Sequence, residues 1–189
     1  MVKQIFIFLS LAAVLVLSAC GNNNNANNDT NMDMGSDQSG MGDMGSMNHS
    51  GSGEVPEGLK EAQNPTYKVG DEVVIHAKHM EGMDGAKAKV VGAYDTVVYA
   101  VTYTPTDGGK PVPNHKWIIQ EEIKDAGSEP LKPGTKVTMD ADHMEGMKGA
   151  EGIVDSAEKT TVYMVDYTPT TGGNPVKNHQ WVVENELSK

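Results

Sequence analysis

The sequence predicts an all-β protein: two tandem small antiparallel barrels of the SH3-like kind, preceded by a signal peptide and a disordered tether. Three observations carry this. Aligned without a gap at an offset of 64, residues 70–123 match 134–187 at 28 of 54 positions, so one unit has been duplicated. Within each copy, short runs of β-branched and aromatic residues are cut by Gly/Pro loops. Beyond the first 20 residues, no stretch sustains the 3.6-residue apolar period of a helix.

The elements follow in order. Residues 1–19 read as an export signal: Lys3 is the only charged side chain in the first 28 residues, and Ile5 to Leu17 form an apolar run of 13, too short for a stable membrane span. The run ends in Leu17-Ser18-Ala19-Cys20-Gly21, which closely resembles the bacterial lipobox. That resemblance implies cleavage before Cys20 and a thioether-linked diacylglycerol on its sulfur, with the new amine open to a further acyl chain. Two or three acyl chains anchor a protein stably without a transmembrane helix. The expected location is therefore the extracellular face of the cell membrane. Cys20 is the only cysteine, so no disulfide is expected within the chain.

Residues 20–53 are low in complexity, with an asparagine run at Asn22 to Asn25 and no aliphatic side chain besides Ala26 and the methionines. Such a segment buries too little apolar surface to offset chain entropy and is expected to be a disordered spacer. The first β repeat spans 54–123, a linker 124–132, and the second repeat 133–189. Val73 to Ile75 and Val137 to Met139 begin the copies. Lys87 to Val91 reads as a short second strand. Thr96 to Thr104 is the clearest strand, with Tyr99, Val101 and Tyr103 alternating onto one face, as do Tyr163, Val165 and Tyr167. Pro105 and Gly108-Gly109 end it. A last strand is expected over His115 to Ile123, with Trp117 and Ile119 on one face.

Charge narrows the function. The chain carries −11, or −12 once Lys3 is removed, and its 15 basic residues are all lysine. Nucleic acid is excluded as a partner, because the surface repels phosphate and has no bidentate donor for it. Enzymatic chemistry finds no constellation. The pentapeptide His79-Met80-Glu81-Gly82-Met83, repeated at His143-Met144-Glu145-Gly146-Met147, lacks the second histidine of a zinc-protease helix, and its glycine weakens a helix. Glu81 and Glu145 have no partner in the sequence for acid–base work.

Soft donors are what stand out. Met32, Met34, Met41, Met44, Met47 and His49 crowd the tether, where there is no core for methionine to fill. In Met41-x-x-Met44-x-x-Met47-x-His49 the spacing recurs every three residues. Thioether sulfur is neutral and soft, selects Cu(I) over hard cations, and combines naturally with imidazole. Asp29, Asp33, Asp37 and Asp43 add oxygen donors. In the folded copies, His79, Met80 and Met83, and likewise His143, Met144 and Met147, fit either a soft-metal turn or a methionine-plugged corner of a barrel. His115 and His179, each in Asn-His-x-Trp, are further candidates if the last strand lies beside the His79 turn of its own copy.

The lipobox, the Met/Asp/Gly tether and two copies of "HMEGM-x-GA … VY-x-V-x-YTPT-x-GG-x-PV-x-NH-x-W" resemble the YdhK-like lipoproteins of Gram-positive bacteria, over about residues 66 to 187. The pattern is similar to lipoproteins associated with copper resistance, which bind Cu(I) outside the membrane. The resemblance implies a copper-binding, non-catalytic lipoprotein, and it carries over to the two HMEGM motifs as matching positions. The copies differ where His76 faces Asp140 and Lys78 faces Asp142. The alternative is a cell-envelope binding module that recognises a wall polymer or protein through Tyr99, Tyr103, Trp117 and their counterparts.

Overall fold

Two long strands of 17 residues each, one per copy, dominate the fold; they run through Gly92 and Asp95 in the first copy and through Gly152 and Asp155-Ser156 in the second without turning. The structure is a computed structural model that describes residues 50–189. The signal peptide, Cys20 and the tether donors Met32, Met34, Met41, Met44, Met47 and His49 lie outside the described residues. The described strands are β1 (Lys60–Glu61), β2 (Glu72–Ile75), β3 (Lys87–Tyr103), β4 (Val112–Ile119), β5 (Lys136–Thr138), β6 (Glu151–Tyr167), β7 (Val176–Val183) and β8 (Leu187–Ser188). A 3-10 turn follows β4 at Gln120–Glu122, and another follows β7 at Glu184–Glu186. The all-β, antiparallel expectation holds, and the described residues contain no α-helix. The separate strands expected over Lys87 to Val91 and Thr96 to Thr104 are one strand, β3. The last strand expected over His115 to Ile123 is displaced: β4 starts earlier, at Val112, and ends at Ile119, where the chain turns 3-10 at Gln120, as β7 does before Glu184.

The larger difference concerns closure. The two copies do not form two barrels in tandem; they share one eight-stranded antiparallel sheet. β3 pairs with β6 from Ala88↔Tyr167 to Tyr103↔Gly152. Thr96 lies opposite Thr160, its own counterpart at an offset of 64, so a pseudo-two-fold axis passes between them and the contact is isologous, as in a symmetric dimer. The register slips between Val90 and Gly92, and again beside Ala100 and Val101. The extra residues are Val91 and Asp155, again counterparts. A bulge bends its strand, so two symmetric bulges curl the sheet about the axis. β4 then pairs back onto β3, and β7 onto β6. β2 pairs with β3 on one side and with β8, from the other copy, on the other.

The cores follow from this exchange. One gathers Val73, Ile75, Met83 and Val90 from the first copy with Tyr163, Tyr167, Val182 and Leu187 from the second. A second gathers Tyr99, Tyr103, Ile118 and Ile123 with Val137, Met139, Met147 and Val154. A third, at the axis, packs Val98, Trp117 and Ile119 against Val162, Trp181 and Val183. Each lobe is therefore built from the front of one repeat and the back of the other. A unit of about 60 residues alone is marginal, and sharing enlarges the apolar surface each core buries. Ser50 and Gly51, which the sequence assigns to the tether, hydrogen-bond to Lys177 at the start of β7.

Candidate functional site

The HMEGM turns are where the copies lock. After β2 the chain must reverse tightly before β3, and Gly82 supplies a backbone φ of +73° that a side chain rarely adopts. Its carbonyl accepts the Thr170 N–H at 2.8 Å, from the YTPT loop of the opposite repeat. A Cβ on Gly82 would lie 2.6 Å from Thr171 Oγ1 and 2.8 Å from Pro169 Cβ. Gly146 repeats the arrangement: φ is +73°, Thr106 N–H donates to its carbonyl at 2.9 Å, and an added Cβ would sit 2.9 Å from Pro105 Cβ. The two most recognisable motifs of the sequence are thus two halves of one contact, made crosswise.

His79 Nε2 bonds Glu186 Oε1 at 2.8 Å, although the two residues are 107 apart in sequence. The other carboxylate oxygen of Glu186 accepts the Trp117 indole N–H and the Val183 backbone N–H, both at 3.0 Å. Across the axis, His143 Nε2 bonds Glu122 Oε1 at 2.7 Å. Trp181 Nε1 donates to the same carboxylate at 3.1 and 3.2 Å, and the Ile119 N–H donates to it at 3.1 Å. The 3-10 turns produce this geometry by folding the glutamate back over the end of β4 or β7. A buried carboxylate is tolerable only when so partnered. Burial pushes the Glu186 carboxyl up, but the bonds from His79, Val183 and Trp117, with the His79 charge, leave it below the usual glutamate value.

His115 lies among histidines of both copies: His79 of its own copy is near enough to act on its charge, and His143 of the other repeat is a ring neighbour. The His115 ring stands 6.4 Å, centroid to centroid, from His143, and edge-on to Tyr103 at 5.8 Å. His179 is edge-on to Tyr167 at 5.7 Å. Burial, followed by the neighbouring His143 and His79, pushes His115 down to about 4. His79, His115, His143 and His179 line a single cleft with Met80 and Met144. Met83 and Met147 do not: both are fully buried, one in each lobe core, in the plug role. His76 is exposed, 2.7 Å from Ser188 Oγ.

The donors partly suit a soft cation. Among the described residues no three His, Cys, Asp or Glu side chains are already gathered as a cage. Yet His79 Nδ1 and His115 Nε2 are buried without a hydrogen-bond partner among those residues. Two thioethers, Met80 and Met144, border the same cleft. Such orphaned imidazole nitrogens beside thioethers match the preferences of copper better than those of a hard ion. Glu122 and Glu186 escaped the sequence reading. A signal existed: they match at the 64-residue offset while their immediate neighbours, Glu121/Asn185 and Ile123/Leu187, do not.

Residues 69–120 and 133–184 each match the family described as "Protein of unknown function (DUF1541)". "Uncharacterized protein YdhK" of Bacillus subtilis (strain 168) is 61% identical over 180 residues, which cover 95% of this chain and 86% of that protein. A crystal structure of a DUF1541 family protein (YdhK) from Bacillus subtilis is similar at 64% identity and a TM-score of 0.73, covering 76% of this chain and 98% of that one. A solution NMR structure of the YdhK C-terminal domain is similar at 64% identity and a TM-score of 0.62, covering 64% of this chain and 92% of that one.

Proposed function

The chain belongs to the DUF1541 family, and on that footing we propose that it is a membrane-anchored extracellular lipoprotein that binds copper, chiefly Cu(I), and buffers it before entry into the cell. The reading makes it a coordinating protein and not an enzyme, held to the membrane through acyl chains on Cys20. The observation that carries it is the collection of four histidines and two methionines from both repeats around one cleft. Imidazole and thioether donors bind Cu(I) without first losing a charge-bearing proton. The tether donors, Met32 to His49, form a capture arm whose chain wraps an ion with no prebuilt cage. In the folded part the donors are His79, Met80, His143 and Met144, with His115 and His179 beside them. The net charge of −11 favours cation approach.

The envelope-polymer alternative draws less support. Tyr99, Tyr103, Trp117, Tyr163, Tyr167 and Trp181 are all buried, so none of these six is open for a sugar or peptide to stack on.

An anaerobic Cu(I) competition titration against a chromogenic chelator tests the reading. Three proteins are compared: the unaltered mature chain, a tether variant with all five tether methionines changed to Leu and His49→Ala, and a cleft variant with Met80→Leu and Met144→Leu. The expected result is that each variant withdraws part of the bound copper. Failure of the unaltered chain to compete removes the copper reading.

A further inference from the structure

We infer that Glu186 and Glu122 are positioning residues, each acting from one repeat on the histidine of the other, and that they fix His79 and His143 as Nε2–H tautomers so that Nδ1 is the nitrogen left for a ligand. The inference rests on the copper reading for the identity of that ligand, but not for the tautomer. In Glu186, two fixed donors, Trp117 Nε1 and Val183 N, converge on Oε2. That leaves Oε1 for His79 Nε2 at 2.8 Å. A carboxylate only accepts, so Nε2 must carry the proton. With the ring neutral, His79 Nδ1 is then a lone pair, and it is the buried atom without a partner among the described residues. At Glu122 the partners correspond, with His143 Nε2 on Oε1 and the Ile119 N–H on Oε2, but the Trp181 N–H is shared between the two oxygens at 3.1 and 3.2 Å. Histidine ligands are commonly oriented in this way by a carboxylate on the far ring nitrogen. What is unexpected is the crossing. The sequence suggests one self-contained His/Met site per repeat. In the structure each histidine is set by the 3-10 turn of the other repeat.

The chemistry of the triad supplies a sharp test. In Glu186→Gln the amide oxygen keeps the two fixed donors, and its NH2 takes the place of Oε1. That NH2 must donate, so His79 changes to the Nδ1–H tautomer with almost no change in shape. Metal-free protein with 15N-labelled histidine, read by long-range 1H–15N correlation, reports each tautomer directly. The expected result is Nε2–H at His79 and His143 in the unaltered protein. Glu186→Gln should convert His79 and leave His143 alone; Glu122→Gln should do the opposite. An Nδ1–H tautomer in the unaltered protein, or conversion of the histidine in the same repeat as the altered glutamate, overturns the inference. Retained dispersion of the remaining amide signals shows that the variants are folded.

Cu(I) competition forms the second arm. Loss of the Nδ1 lone pair should weaken the His79-dependent binding by roughly 10–100-fold, the usual scale for losing such an orienting partner, and comparably to His79→Ala. If Glu186→Gln converts the tautomer but binds copper as the unaltered protein does, while His79→Ala does not, Nδ1 is not the ligand and that part of the inference falls. If the unaltered protein binds no copper, the function reading fails and takes the ligand role with it, whereas the tautomer result stands on its own.

Discussion

Two alanine substitutions three residues apart should separate the crosswise lock from ordinary turn strain. Gly82 and Gly85 both have positive φ, +73° and +78°. Alanine at either site therefore carries a similar backbone penalty, ~1–2 kcal/mol, partly offset in both by the same stiffening of the unfolded chain. They differ in what the new methyl group meets. At Gly85 the nearest atom is Thr170 Cγ2 at 3.9 Å, which is ordinary contact; at Gly82 it meets Thr171 Oγ1 at 2.6 Å and Pro169 Cβ at 2.8 Å. Proline cannot swing aside, so the two loops must part, at the ~1–3 kcal/mol typical of overpacking. Gly82→Ala should thus cost about 2–5 kcal/mol and Gly85→Ala about 1–2. The pair Gly146→Ala and Gly149→Ala provides a replicate in the second copy, since a Cβ at Gly149 meets nothing within 4 Å. Urea unfolding at constant m-value measures each difference. Equal losses at Gly82 and Gly85, and at Gly146 and Gly149, would refute the claim that the HMEGM turn is closed by the opposite repeat.

Other consequences are as direct. Because each lobe core draws on both copies, unfolding should be a single transition, whichever copy is damaged. Met83→Ala and Met147→Ala should each destabilise that one transition by ~2–5 kcal/mol, and Met83→Leu by less than ~1.5; two resolved transitions by near- and far-ultraviolet circular dichroism would contradict this. His115 is held at about 4 when folded, against ~6.5 in the unfolded chain. Between those values the unfolded chain takes up a proton that the folded one refuses. Stability is therefore present above pH ~6.5 and declines as pH falls toward 4, by about 3 kcal/mol if the window is crossed fully. His115→Gln should flatten that part of the pH–stability curve.

Much of the secondary structure was legible because its causes are local. The alternation at Tyr99, Val101 and Tyr103 and the breaks at Pro105 and Gly108 act within a few residues, and the strands lie where these signals put them. Self-comparison exposed the duplication, but an offset of 64 cannot say whether a strand pairs within its copy or across. Thr96 opposite Thr160 is a fact of association, and the same residues would line a closed barrel equally well. The binding candidates divided for the same reason. His79, Met80, His143 and Met144 share a cleft because the axis brings both turns to it, whereas Met83 and Met147 point into the cores. Glu122 and Glu186 read as unremarkable acidic residues near strand ends, since their histidines lie 21 and 107 residues away.

The pairing of β2 with β8 also imposes an order in time. Val74 lies opposite Ser188, and Ile75 opposite Leu187. A chain delivered from its amino end presents β2 early, but the partner that completes its edge emerges last. Until then the first repeat has only half of either lobe core to bury, and long-range strand pairing of this kind is intrinsically slow to form. The molecule therefore has no stable halfway stage in which one domain waits, finished, for the next. Such a chain acquires its shape only after β8 is free to pair with β2.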